Sequence, residues 1–190
     1  MTPAEQLAFE RASEVEHEDA HGAVFAMSGG TRAHSLLAAN LTRELGNAPL
    51  NRPCELHTGD LRVKIAATGR HVYPEATVAC RELAFEDDAL DTLLNPTVIV
   101  EVPSDPSEAY DRGDEFEGYR SVSSVTDEVL VSQKAPRIEH HRREPDGAWR
   151  FVALGPGDAL VLDGLGVRVR VEVDRVYHEV ALTPAEPAAG

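Results

Sequence analysis

The fold that we predict for this chain depends most on one stretch, Asn95-Pro96-Thr97-Val98-Ile99-Val100-Glu101-Val102-Pro103. Val98, Ile99 and Val100 are consecutive β-branched residues, which are typical of a strand covered on both faces. Glu101 closes that strand, where burying its charge is costly unless another group compensates it. We therefore expect a central strand with a glutamate at its end.

A second glutamate stands in a similar place earlier in the chain. Tyr73-Pro74-Glu75 opens the short apolar run 76–79, which also predicts a strand. If the two strands are neighbours, Glu75 and Glu101 supply the hard oxygen ligands that a divalent cation prefers. The alternative is that each glutamate ends a strand at the surface and pairs with an arginine, and the pattern alone leaves both interpretations open.

The remaining periodicity indicates a mixed α/β protein. Leu37, Leu41 and Leu45 recur at four-residue intervals, as they do on the buried face of a helix. The predicted helices span 2–12, 31–45 and 110–120, and the predicted strands span 23–27, 61–65, 76–79, 96–101, 129–131, 138–140, 149–152 and 167–173. This order predicts a central mixed sheet flanked by helices, in one domain over 1–182 with a flexible tail over 183–190.

Composition limits the classes of function. The chain has 190 residues, with 18 lysines and arginines against 33 acidic residues and a formal net charge of −15. Such acidity opposes nonspecific attraction to nucleic acid, which depends on neutralising phosphates. No apolar stretch approaches the roughly 18 residues that span a bilayer. With no signal peptide, Cys54 and Cys80 are expected to be free thiols in a cytoplasmic protein.

A series of segments between about residue 5 and about residue 180 carries a family resemblance. They are Ala12-Ser13-Glu14 with His17-Glu18 and Gly22, Ala26-Met27-Ser28-Gly29-Gly30-Thr31 with His34, Asp60-Leu61-Arg62-Val63, Tyr73-Pro74-Glu75, Asn95-Pro96-Thr97 with Val100-Glu101-Val102, and Glu108-Ala109-Tyr110-Asp111-Arg112-Gly113. In this order the chain resembles the Uma family of putative restriction endonucleases, which have a PD-(D/E)XK nuclease-like fold. The resemblance implies a restriction-endonuclease-like fold and hydrolysis of DNA phosphodiester bonds with Mg²⁺ or Mn²⁺.

The resemblance also implies roles for particular residues. It makes Glu75 and Glu101 the metal ligands, with Asp60 assisting directly or through water and His34 positioning water or phosphate. It further implies a homodimer, because cutting both strands needs two active sites.

The chain departs from the family pattern at the catalytic lysine. Glu115 stands at the matching helical position, and this charge reversal replaces a group that stabilises phosphate with one that repels it. Arg112 lies three residues earlier on the same helical face, and Lys64 shares a predicted strand face with Asp60. Either could stabilise transition-state charge. Two functions stay open, a nuclease that is weakened or rewired and a non-catalytic module that binds a partner.

Three further motifs have ordinary interpretations. His17-Glu18-Asp19-Ala20-His21 matches the H-E-x-x-H zinc motif, but Gly22 leaves no room for its helix, so a charged helix end is favoured. The run 140–143 (His-His-Arg-Arg) predicts a solvated edge strand rather than a phosphate site. Trp149 and Phe151 share a strand face and are expected in the core. With aromatic residues at 5% of the chain, base stacking on exposed rings has little support.

Overall fold

The computed structural model describes residues 3–13, 17–20, 23–26, 30–48, 54–103 and 116–182. The helices are α1 (Pro3–Ala12), α2 (Arg32–Asn47), α3 (Phe116–Ser121) and α4 (Val173–Val176). The strands are β1 (His17–Ala20), β2 (Ala23–Ala26), β3 (Cys54–Thr58), β4 (Arg62–Ile65), β5 (Arg70–Val72), β6 (Ala76–Cys80), β7 (Thr92–Leu93), β8 (Val98–Glu101), β9 (Asp127–Val131), β10 (Ile138–Arg143), β11 (Trp149–Leu154), β12 (Ala159–Leu162) and β13 (Val169–Glu172). None of the helices in these ranges is both long and apolar enough to cross a membrane.

A six-stranded mixed sheet forms the centre of the fold, in the order β11-β10-β9-β8-β6-β3. β8 pairs in parallel with β9 and antiparallel with β6. Val98, Ile99 and Val100 of β8 are all fully buried, which confirms the central strand predicted from their β-branched run. The mixed sheet with its flanking helices confirms the predicted α/β fold class.

The two faces of this sheet bury separate sets of apolar side chains. Val98 and Val100 join one core cluster and Ile99 joins the other, because successive strand residues point to opposite faces. The first cluster contains Leu37, Leu41 and Leu45 of α2, as their spacing predicts. The second contains side chains from β4, β5 and α3, namely Val63, Ile65, Val72 and Tyr119. Helix α2 therefore covers one face, and β4, β5 and α3 cover the other.

Two predicted segments reach beyond the described residues. The helix expected over 110–120 is described only as Phe116–Ser121, so Arg112 and Glu115 lie outside the described part of the chain. The tail expected over 183–190 lies outside it as well. The helix that Thr31 begins continues through Gly46 to Asn47, two residues past the predicted end at Leu45.

Two motif interpretations are wrong in their local structure. His17–Ala20 is strand β1 paired with β2, not a helix end, so the described part of the H-E-x-x-H motif lacks the helix that would aim its side chains at zinc. The run 140–143 belongs to β10, which lies between β9 and β11 and is therefore not an edge strand.

The prediction of free thiols is also wrong. Cys54 of β3 and Cys80 of β6 stand opposite each other in the antiparallel ladder and form a disulfide, with a Cα–Cα distance of 4.0 Å. A sequence separation of 26 gave no hint of this, because only the strand pairing brings the two sulfurs together. The bond ties the edge strand β3 to β6.

Candidate active site

Strand pairing brings the two predicted carboxylates together. β6 and β8 pair with Ala76 opposite Val100, so one further step of the same register places Glu75 opposite Glu101. An interaction with the Glu101 carboxyl group is among the causes that lower the pKa of Glu75, so the two groups lie within reach of each other. A cation between two such carboxylates would offset the repulsion between them.

His34 is the second partner of Glu75. Its Nε2 lies 2.7 Å from Glu75 Oε1, and both side chains are partly buried. Thr31 is the N-cap of α2, and its hydroxyl accepts a hydrogen bond from the His34 backbone N–H at 3.0 Å. A Cβ at Gly30 would lie 2.6 Å from His34 Nδ1, so glycine at this position leaves room for the imidazole. The Gly-Thr-x-x-His segment thus begins the helix and orients its histidine in one turn.

Two further groups contact the carboxylate pair. The Val102 backbone N–H donates to Glu75 Oε2 at 2.9 Å, and the Tyr119 hydroxyl donates to Glu101 Oε1 at 2.6 Å. Tyr119 reaches this position because α3 lies close to β4, where a Cβ at Gly118 would meet Ile65 Cδ1 at 2.8 Å. Sequence reasoning placed Tyr119 on an amphipathic helix but did not assign it to the site.

These contacts set the charge of Glu75 and His34. Burial raises the pKa of Glu75, but the hydrogen bonds with His34 and Glu101 and the one from the Val102 N–H outweigh it and hold the pKa below its ordinary value. The hydrogen bond to Glu75 raises the pKa of His34, against the opposing effect of burial. The pair therefore favours a Glu75 carboxylate facing a His34 imidazolium.

Gln133 connects the loops around the pair. Its Oε1 accepts a hydrogen bond from the Thr31 hydroxyl at 2.7 Å, and its Nε2 donates to the Pro103 carbonyl at 2.8 Å. One side chain thus fixes the start of α2 and the end of the β8 segment, which carry His34 and Glu101. No pattern in the sequence marks Gln133, because it lies in the irregular segment after β9.

Not every predicted site residue reaches the pair. Asp60 is exposed in the turn between β3 and β4, next to Gly59, whose backbone approaches Glu75. Within the described ranges Asp60 makes no hydrogen bond or ion pair with either glutamate, and its role stays a prediction. The Lys64 ammonium forms an ion pair with Glu86, so it is engaged away from the pair.

The arrangement suits a hard cation with few protein ligands. Across the described residues, no three histidine, cysteine or acidic side chains come together as a set that could hold a metal ion. Mg²⁺, however, commonly takes only one or two carboxylates and fills its remaining positions with water and substrate phosphates. Glu75 and Glu101 stand opposite each other and offer carboxylate oxygens, which is the donor chemistry of such an ion, so they fit the divalent cation that the sequence predicts.

The fold is shared with a solved structure. A crystal structure described as that of "a putative nuclease belonging to DUF820", from Anabaena variabilis ATCC 29413, superposes with a TM-score of 0.73 and covers 95% of this chain and 99% of its own. The two sequences are 14% identical, so this likeness establishes the fold alone.

The sequence places the chain in a family. It belongs to the Uma2 family, whose description is "Putative restriction endonuclease", and the match covers residues 3–173. Two relatives from Synechocystis sp. (strain PCC 6803) are similar along most of their length. The uncharacterized protein slr1290 is 30% identical over 95% of this chain and 93% of its own, and the uncharacterized protein sll1609 is 29% identical over 81% and 87%.

Proposed function

We propose that this protein is a metal-dependent hydrolase of DNA phosphodiester bonds in which Glu75 and Glu101 hold Mg²⁺ or Mn²⁺. The observation that carries the proposal is the pairing of β6 with β8, whose register sets these two carboxyl groups opposite each other. Membership of a family described as "Putative restriction endonuclease" supplies the reaction class.

The surrounding residues supply the rest of the chemistry. Bound between the two glutamates, the ion would polarise the phosphate and lower the pKa of a water molecule. His34, whose pKa Glu75 raises, retains a proton more readily than free imidazole and so can donate a hydrogen bond to a phosphate oxygen. Asp60 accepts a hydrogen bond from the attacking water, and Arg112 stabilises negative charge on the phosphorus oxygens.

Cleavage of a plasmid in the presence of Mn²⁺ tests this proposal. We expect Glu75→Gln and Glu101→Gln each to lower the cleavage rate at least about 100-fold, because each removes one carboxylate from the ion. Glu55→Gln is the matched control, since Glu55 is an exposed glutamate on β3 of the same sheet. Equal cleavage by all three variants and the wild-type protein would show that the site is wrongly assigned.

A non-catalytic partner-binding module is the second candidate. Glu115 at the family lysine position and the net charge of −15 favour it, because both repel a phosphate substrate. Calorimetric titration with Mn²⁺ separates the two candidates. Heat that Glu101→Gln abolishes supports the hydrolase, whereas no heat and no cleavage in the wild-type protein support the module.

The proposed reaction has consequences for assembly and location. Cutting both strands of DNA requires two sites, so we propose a homodimer, which light scattering on the purified protein would detect at twice the mass of 20.6 kDa. A monomer mass under all conditions contradicts this. We further propose that the protein acts in the cytoplasm, where DNA is its partner, and fractionation of cells checks the location.

A further inference from the structure

A cluster of rings and guanidinium groups lies at the β11 side of the central sheet. We call it the arginine–aromatic patch, and it consists of Phe116, Arg120, His141, Arg143, Trp149 and Phe151. The ring of His141 lies 4.4 Å from that of Phe116 and 5.0 Å from that of Phe151. Phe151 is 50% exposed, so the prediction that it is a core residue is wrong. Trp149 is partly buried and packs against the second core cluster.

Two arginines lie against the Trp149 ring. Arg143 is centred 4.8 Å from the ring centroid and Arg120 is centred 5.8 Å from it. Arg143 is fixed in place because its guanidinium donates to the backbone carbonyls of Arg120, Val122 and Val125. Arg120 is exposed and is centred 5.1 Å from the Phe116 ring.

Arg120 and Arg143 differ from the neighbouring Arg150 in their charge partners. Within the described ranges neither guanidinium has a carboxylate partner, although acidic residues outnumber basic ones by 33 to 18. By contrast, the nearby Arg150 pairs with Glu144 at 2.8 Å. Burial and, to a lesser extent, the repulsion from Arg120 lower the pKa of Arg143. An anion beside them would relieve the repulsion and gain charge-assisted hydrogen bonds.

The patch lies on the same sheet face as the carboxylate pair. Strand alternation places Ile99 on the same face as Glu101. Residues that stand opposite each other in neighbouring strands share a face, and the pairing runs from Ile99 to Glu128, from Glu128 to His141, and from His141 to Phe151. His141 is therefore two strand spacings, roughly 10 Å, from the strand of Glu101. Helix α3 joins the two regions, since its Tyr119 contacts Glu101 while its Phe116 contacts His141 and Trp149.

We propose that the arginine–aromatic patch binds a single strand of nucleic acid next to the carboxylate pair, with a phosphate between Arg120 and Arg143 and a base stacked on Phe151. Guanidinium groups match phosphate geometry, and every base offers a face that stacks on an aromatic ring. The proposal rests on the proposed function for its choice of ligand class. The patch would offer a phosphate group local positive charge, which overcomes the repulsion between that phosphate and the chain's net charge of −15.

The single tryptophan makes the test direct. Trp149 is the only tryptophan in the chain, so its fluorescence reports on the patch alone. We would titrate the full chain with a thymidine 12-mer in EDTA, so that cleavage does not interfere. We expect saturable quenching, whose affinity falls with salt because phosphate contacts release counterions.

Matched variants show which residues bind the strand. Arg120→Gln should weaken binding about tenfold and reduce the slope of log affinity against log salt by about one. Phe151→Ala should weaken binding about tenfold through lost stacking while leaving that slope unchanged. Arg168→Gln is the control, because Arg168 is an exposed arginine beyond the patch that pairs with Asp163, and it should bind as the wild-type protein does.

The outcomes separate this proposal from the function that it extends. No quenching by the 12-mer, equal binding by Arg120→Gln and Arg168→Gln, or equal quenching by poly-glutamate would overturn the patch as a nucleic-acid site. If the wild-type protein cleaves DNA and Arg120→Gln binds normally, the hydrolase stands and the patch falls. If binding depends on Arg120 and Phe151 but no metal supports cleavage, the patch stands and the hydrolase falls.

Discussion

Replacing Glu101 by glutamine should stabilise the protein while removing its metal site. At pH 7 two neighbouring carboxylates repel each other, by about 4 kcal/mol if their charges are about 4 Å apart at an effective dielectric constant of 20. In Glu101→Gln the amide N–H donates to Glu75 and the amide oxygen accepts from the Tyr119 hydroxyl, which keeps both existing contacts. We expect a gain of about 1–3 kcal/mol, because part of the cost is already relieved by His34.

Thermal unfolding with and without Mn²⁺ measures both effects. For a domain of this size, 1 kcal/mol corresponds to about 2–4 °C in Tm, so Glu101→Gln should melt about 2–12 °C above the wild-type protein without metal. Free Mn²⁺ at about 100 times its Kd should add about 2.7 kcal/mol to the wild-type protein only. When Mn²⁺ is added, the two melting temperatures should therefore converge or change their order.

A specific result would refute this reasoning. If Glu101→Gln melts below the wild-type protein without metal, and Mn²⁺ raises both melting temperatures equally, the two carboxylates neither repel each other nor share an ion. The exposed Glu55→Gln control should leave Tm and the response to Mn²⁺ unchanged, because its side chain lies away from the pair.

Three further predictions concern the scaffold. Reduction of the Cys54–Cys80 disulfide should lower the free energy of unfolding in urea by about 3.5 kcal/mol. A variant with serine at both positions should not respond to the reductant. An unchanged urea midpoint of the wild-type protein after reduction contradicts the prediction. Burial raises the pKa of Tyr177 to about 12, so the contribution of its hydroxyl to stability is complete below about pH 10 and is lost as the pH rises towards 12. Tyr177→Phe should flatten the dependence of the unfolding free energy on pH in this range, and an unaltered dependence contradicts the prediction. Thr31→Ala should cost about 1 kcal/mol in chemical unfolding through the lost N-cap, whereas Thr31→Ser should retain most of it; equal losses would show that the hydroxyl does not cap α2.

Much of the central sheet is predictable because its signals are local. The β-branched run at 98–100 identified the buried strand, and the leucine spacing in α2 identified the helix that covers it. The glutamates were predictable candidates because each borders an apolar run, Glu75 at its start and Glu101 at its end. Trp149 and Phe151 show the limit of such reasoning, since alternation put them on one face correctly but could not tell that the sheet ends at β11 and leaves Phe151 exposed.

The partners of the site residues were not predictable, because they come from distant segments. Tyr119, Gln133 and the Val102 N–H approach the pair only after α3 and the loops have packed on the sheet. Gly30 was visible as part of a motif, but its purpose, space for the His34 ring, depends on the close contact itself.

The order of apolar runs along the chain determined by itself that a mixed sheet would form and that two acidic side chains would stand at strand ends, because hydrophobic periodicity acts between neighbouring residues. Only the tertiary structure decided that Glu75 and Glu101 stand opposite each other, that Cys54 bonds Cys80, and that two arginines without carboxylate partners among the described residues lie against one tryptophan ring. Each of those contacts depends on strand register and helix docking, in which a shift of one residue turns every side chain to the other face.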